Sequence, residues 1–168
     1  MTSSLPSSLP GGIHLKRLVQ IGIVVADRDR TTQLLTSLFG MGPFRFVEWP
    51  DRPESKYYYR GVEESVRIKQ AFVQLGDVEV ELIQPVAGNS GYKDFLDQNG
   101  GGIHHVLFEV GNIDPVIQEL GKSGVTVLQS GTGIRPGTRW ALLDTRELLG
   151  FFVELRHRPG ESDGTSIP

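Results

Sequence analysis

Four polar side chains interrupt apolar segments of this 168-residue chain at places related by an internal repeat. They are Gln20 in LVQIGIVV, His105 in IHHVLFEV, Glu81 in VEVEL and Glu154 in FFVEL. The first two segments superpose without gaps and set Gln20 opposite His105. The other two end in the same tripeptide, Val-Glu-Leu, and set Glu81 opposite Glu154. Two readings are open for such residues. A sheet with one solvated face puts polar residues at alternate positions and needs no chemistry from them. A carboxylate turned inward needs a compensating partner. If the two copies pack about a pseudo-twofold axis, one imidazole nitrogen, two carboxylates and an amide oxygen converge. That set suits a divalent cation with positions left for water or substrate. Glu79 shares a strand face with Glu81, as a supporting group or a solvated one. His104 is expected on the opposite face from His105, with Val106 and Phe108, as a core histidine.

The elements that must position these groups follow from the apolar period. Residues 18–25 alternate as a strand, with Gln20, Gly22 and Val24 on one face. Asp27 or Asp29 can cap a helix running to about Phe39, stopped by Gly40 and Gly42. Strands are expected at 44–49, 66–75 and 78–84, the last two joined by Gly76-Asp77 as a two-residue hairpin connection. A short helix from Tyr92 to Gln98 precedes three glycines, and the pattern restarts. A strand is expected at 103–110 and a helix is capped by Asp114 with Pro115 at its first position. Strands follow at 125–129, 139–144 and 151–157. The fold class is therefore α+β: two strand–helix–strands units, 18–84 and 103–157, within one domain spanning 13–158. Residues 1–12 and 159–168 read as tails.

Composition narrows the function. With 17 Lys+Arg against 20 Asp+Glu the net charge is −3, and no basic cluster marks a nucleic-acid binder. The chain has no cysteine, which excludes disulfides, zinc fingers, iron–sulfur clusters and a cysteine nucleophile. No apolar run approaches the roughly 20 residues of a spanning helix. The N-terminal MTSSLPSSLPGG lacks the charged start and apolar core of a secretory signal, so a cytoplasmic protein is expected.

VELIQPV followed by a short helix and GGGIHHVLFEVGNID, with FFVEL near the end, resembles the vicinal oxygen chelate superfamily, and within it the methylmalonyl-CoA epimerases. The likeness spans about residues 15–157. It implies two βαβββ repeats forming a cupped, mostly antiparallel eight-stranded sheet with helices outside, and commonly a homodimer. By position it implies metal ligands Gln20, Glu81, His105 and Glu154 around one divalent ion such as Co, Ni, Zn, Mn or Mg. The epimerases place a histidine where this chain has Gln20; the Gln/Glu/His/Glu set instead resembles eukaryotic glyoxalase I. The epimerases' second acid belongs upstream of Glu81, where Glu63 and Glu64 are the candidates.

The implied reaction is proton abstraction next to the carbonyl of a thioester or hemithioacetal, with an acyl-CoA or a glutathione or other thiol adduct as substrate. Glu154 is the expected base or shuttle and Glu81 a ligand sharing the work. A small-molecule binding or resistance protein and an extradiol-type dioxygenase are the alternatives. Gln20 removes the first histidine the dioxygenase needs. Around the site, Arg135 and Arg139 could meet an anionic substrate, residues 131–138 (GTGIRPGT) could form a lid, and Trp49 with Tyr57-Tyr58-Tyr59 could wall the pocket.

Overall fold

The structure is a computed structural model that describes residues 13–160; the expected tail at 1–12, and all but the first two residues of the one expected at 159–168, lie outside the described residues. The first repeat comprises β1 (Leu18–Val24), α1 (Arg28–Phe39), β2 (Arg45–Trp49), β3 (Tyr57–Tyr59), β4 (Val62–Glu63), β5 (Arg67–Leu75) and β6 (Val78–Ala87). After α2 (Gly91–Asn99) the second repeat runs through β7 (Gly102–Glu109), α3 (Ile113–Gly121), β8 (Val127–Thr132), β9 (Arg139–Leu143), α4 (Arg146–Leu149) and β10 (Phe152–His157). No helix among the described residues is long and apolar enough to cross a membrane.

All strands among the described residues join one sheet in the order β2-β5-β6-β1-β7-β10-β9-β8-β3-β4. Only β1/β6 and β7/β10 are parallel, as a βαβββ unit demands, and β1 and β7 join the halves antiparallel. The sheet has ten strands where eight were expected. The two additions are β3 and β4, a short hairpin turning at Arg60-Gly61, both at positive φ (51° and 79°). This hairpin leaves the first repeat and pairs along β8 of the second, Tyr57 lying opposite Gly131. It extends an edge that would otherwise present unpaired backbone groups. The Gly76-Asp77 connection forms as expected, with Leu75 paired to Val78 across it.

The repeat is visible in the hydrogen-bond register. Gly22 pairs with Glu81 across β1/β6, and its counterpart Leu107 pairs with Glu154 across β7/β10. Across the joint, Gln20 faces Leu107 and Gly22 faces His105, the same pairing seen from either side. Bulges also match: the ladder skips Val19 on β1 and His104 on β7, which are equivalent positions.

Alternation then sorts the side chains. Leu155, Val153, Ala141 and Leu143 face outward and bury Val116 and Ile113 of α3. Each such side chain contributes roughly 1.5–3 kcal/mol on burial. Inside the cup, Val24, Ile83, Leu142 and Phe152 pack with Tyr92 and Phe95 of α2. Helix α2 starts at Ser90, whose hydroxyl accepts from the Lys93 amide, and stops at Gly100 in the left-handed region.

The bulge corrects one expectation. Simple alternation puts His104 outside with Val106 and Phe108. The skipped residue instead turns His104 to the inner cluster, against Tyr92, Phe95 and Phe152, with no exposure. An extra residue in a strand re-aims the side chain it carries.

Candidate active site

A cavity of about 380 Å³ lies inside the cup between the repeats. Glu79 and Glu81 reach its wall from β6, Gln20 from β1, Gln70 from β5, and Glu154 with Arg156 from β10. His105 lies beneath this wall, fully buried, its Nε2 3.3 Å from Glu154 Oε2 and 3.9 Å from Glu81 Oε2. Of the four residues singled out by the repeat, three thus converge directly. Gln20 is the fourth on the same wall, its amide donating to Glu79 at 2.6 Å, while the Gln70 amide donates to Glu81 at 2.5 Å.

Burial sets the electrostatics. It raises Glu154 from the ordinary carboxyl range to about 8, Glu81 adding to the rise and Arg156 opposing it. It raises Glu81 to about 7, opposed by the Gln70 hydrogen bond and reinforced by Glu79. It lowers His105 to about 3, so the imidazole is neutral at physiological pH. Two buried acids poised near neutrality around a neutral imidazole can hold and move a proton. They also form a donor set deficient in positive charge.

That deficiency tests the fit of a cation. His105 Nε2 is buried and has no hydrogen-bond partner among the described residues. A lone imidazole nitrogen beside two carboxyl oxygens suits a divalent ion of intermediate softness. As the side chains stand, no His/Asp/Glu group among the described residues encircles one point. Glu81 and Gln20 are each turned to a hydrogen-bonding neighbour, Gln70 and Glu79.

Against known proteins, the family model for the Glyoxalase/Bleomycin resistance protein/Dioxygenase superfamily matches residues 19–141. The chain belongs to this superfamily. Human mitochondrial methylmalonyl-CoA epimerase is 26% identical over 144 residues, covering 84% of this chain and 74% of the relative. The bovine mitochondrial methylmalonyl-CoA epimerase is 28% identical over 159 residues, covering 92% and 83%. A solved methylmalonyl-CoA epimerase, in complex with methylmalonyl-CoA and NH4+, superposes with a TM-score of 0.64 at 24% identity, covering 89% of this chain and 99% of that one. That likeness shows the shared fold.

Other expected residues of this superfamily member divide. Arg135 lines the cavity with Thr132, Gly133, Ile134 and Thr138. The loop they form is tied down from the first repeat, where Arg52 donates to the carbonyls of Gly133 and Ile134 at 2.7 and 2.6 Å. Arg139 does not reach the cavity. It begins β9 pointing to the outer layer and makes a two-pronged ion pair with Asp114 at the start of α3, at 2.9 and 3.1 Å. Glu63 and Glu64 are likewise outside: Glu63 pairs with Lys56 at 2.8 Å and Glu64 accepts from Asn89. Trp49 and Tyr57 wall the cavity with Trp140, ring centroids 5.6 Å apart on either side of Tyr57, whereas Tyr58 and Tyr59 do not line it.

Three contributors were not singled out from the sequence. Gln70 alternates with Ile68 and Phe72 along β5, a polar break of the kind that identified Glu81. Arg156 follows Glu154 by two residues and so shares its face. Glu109 holds Arg156 at 2.9 Å, together with Arg17 and Arg158, while being only 3% exposed. Removing one member of a buried charge cluster strands the rest, at a cost of about 3–5 kcal/mol. Glu109→Ala is therefore expected to lower unfolding free energy by roughly that amount in urea titration. Loss of under ~1 kcal/mol contradicts this assignment.

Proposed function

We propose that the chain is a divalent-metal-dependent isomerase of the epimerase type, moving a proton at the carbon next to the carbonyl of an acyl-CoA thioester. The observation that carries the reading is the pair of buried carboxyls, Glu154 near 8 and Glu81 near 7, meeting over the unpartnered Nε2 of His105. The epimerase relatives support the acyl-CoA class, since the superposed structure holds methylmalonyl-CoA.

Gln20, Glu81, His105 and Glu154 would hold the ion through Oε1, two carboxylates and Nε2. Held there, such an ion would supply Lewis acidity toward an enolate oxygen. Glu154 takes the α-proton, as the carboxylate placed beside the acidic carbon. For inversion, Glu81 enters the cycle protonated and gives that proton to the opposite face of the enolate, leaving Glu154 protonated and Glu81 charged. Neutral His105 donates electron density without competing for that proton. Trp49, Tyr57 and Trp140 exclude water from the apolar end, and Arg135 and Arg156 offer cationic contacts to an anionic group.

The test is exchange of the α-proton of methylmalonyl-CoA in deuterated water, followed by NMR, with Co, Ni, Zn, Mn or Mg added to chelator-treated protein. Metal-dependent exchange abolished by Glu154→Gln is expected. Binding of the acyl-CoA without exchange under every metal overturns the reading and leaves a binding protein. Gln20, standing where the epimerases have histidine, favours one further substrate arm, the methylglyoxal–glutathione hemithioacetal. Turnover of that adduct alone replaces the thioester reading.

A further inference from the structure

We propose that His104 is a positioning residue that fixes the tautomer of His105 and keeps the His105 Nε2 lone pair aimed at Glu81 and Glu154. The inference rests on the reading of His105 as an ion-holding residue. The bulge in β7 removes His104 from the ladder with β1 and brings its Nδ1 to 3.1 Å from Nδ1 of His105. Two lone pairs cannot face each other at that distance, so one proton lies between the rings. Either His105 donates, leaving its Nε2 bare, or His104 donates, forcing the His105 proton onto Nε2.

The surroundings of His104 decide between these. Its ring is fully buried, with ring centroids of Phe152 at 4.6 Å, Phe95 at 4.9 Å and Tyr92 at 5.1 Å. Its Nε2 has no hydrogen-bond partner among the described residues. Neither tautomer finds a conventional partner for that nitrogen, but an N–H can rest against the π cloud of an enclosing ring, while a lone pair gains nothing from it. The proton of His104 therefore sits on Nε2, its Nδ1 accepts, and His105 must donate from Nδ1. A ring nitrogen held by a hydrogen bond on one side presents the other to a metal. Here that hydrogen bond goes to a second imidazole enclosed by aromatic rings.

Long-range proton–nitrogen NMR of the metal-free protein reads the tautomers directly. The expected spectrum shows His105 protonated at Nδ1 and His104 at Nε2. His105 protonated at Nε2 overturns the proposal. Cobalt titration of the full-length protein gives the second readout. His104→Phe keeps an aromatic ring but removes the acceptor, and a 10- to 100-fold loss of cobalt affinity is expected. His104→Asn, whose Oδ1 can take the place of Nδ1, is expected to recover most of it. Equal affinity in wild type and both variants overturns the proposal. If His104→Phe does not fold, the wild-type spectrum and His104→Asn still decide. Failure of wild type to bind cobalt sinks the metal reading instead, and the metal-free spectrum continues to test the His104 assignment.

Discussion

Replacing Gly22 by alanine is expected to displace the His105 imidazole and weaken divalent-metal binding at least 100-fold. Gly22 faces His105 across β1/β7, and the imidazole fills the space that a side chain at position 22 would take. A methyl group built there would collide with Cε1, Nε2 and Nδ1 of the ring together. The Gly22 backbone is extended and not in the left-handed region, so the need for glycine is one of space. The ring cannot retreat easily, because His104 backs it at 3.1 Å and Glu154 faces it at 3.3 Å. Overpacking a site of this kind costs typically 1–3 kcal/mol, which leaves a folded protein with the imidazole moved. Cobalt titration with thermal melting separates the outcomes. Wild-type cobalt affinity in folded Gly22→Ala would falsify the account. The pseudo-twofold is broken at this point: the counterpart of Gly22 is Leu107, facing Gln20. An amide on a flexible stem coexists with a leucine opposite. An imidazole filling the space over position 22 does not.

That asymmetry shows how far a period can be read. Val80-Glu81-Leu82 and Val153-Glu154-Leu155 announced both carboxyls because each strand keeps strict alternation, so an inward face at one residue sets the face of its neighbours. Gln20 and His105 followed from the same gapless superposition. Alternation fails where the backbone adds a residue. His104 looked outward by count and turns inward by its bulge, and no residue type in IHHVLFEV announces that bulge. The hairpin from Tyr57 to Glu63 was illegible for another reason. Its strands contain three and two residues, and the longer of them pairs with β8, some seventy positions away in the chain. Arg139 was drawn to the site by proximity in sequence to the loop at 131–138. It begins β9, where two-residue alternation sends it to Asp114 and its neighbour Trp140 to the cavity. Local pattern names a face; which partner fills that face is a property of the assembled sheet.

Glu154→Gln is expected to reduce turnover by 10²- to 10⁴-fold while making the metal-free protein more stable at alkaline pH. The first half follows from the proposed role of the carboxylate as the group that takes the α-proton. The second follows from linkage. Burial raises Glu154 from 4.5 in the unfolded chain to about 8 in the fold, with Glu81 adding to the rise and Arg156 opposing it. The native state therefore binds more protons than the unfolded state between about pH 4.5 and 8. Stability is complete below that window and falls as pH rises through it. Glu81, raised to about 7, contributes in the same direction over a narrower range. His105 and His104, both held below the ordinary imidazole value by burial, are protonated only in the unfolded chain up to about pH 6.5 and give a slope of opposite sign there, so the carboxyl effect is read above that pH. A shift of this size in a fully buried group corresponds to roughly 3–5 kcal/mol between the ends of the window. Glutamine carries no proton to lose, so the slope owed to Glu154 disappears. Melting temperatures in chelator should fall between about pH 6.5 and 9 for wild type, and less for Glu154→Gln. A divalent cation should flatten the wild-type slope, because it stabilises both carboxylates in their charged form. Equal alkaline slopes in wild type and variant would refute the burial account, and full turnover by Glu154→Gln would refute its role as the base. The two results together identify one side chain kept at the expense of stability because the reaction needs its charge.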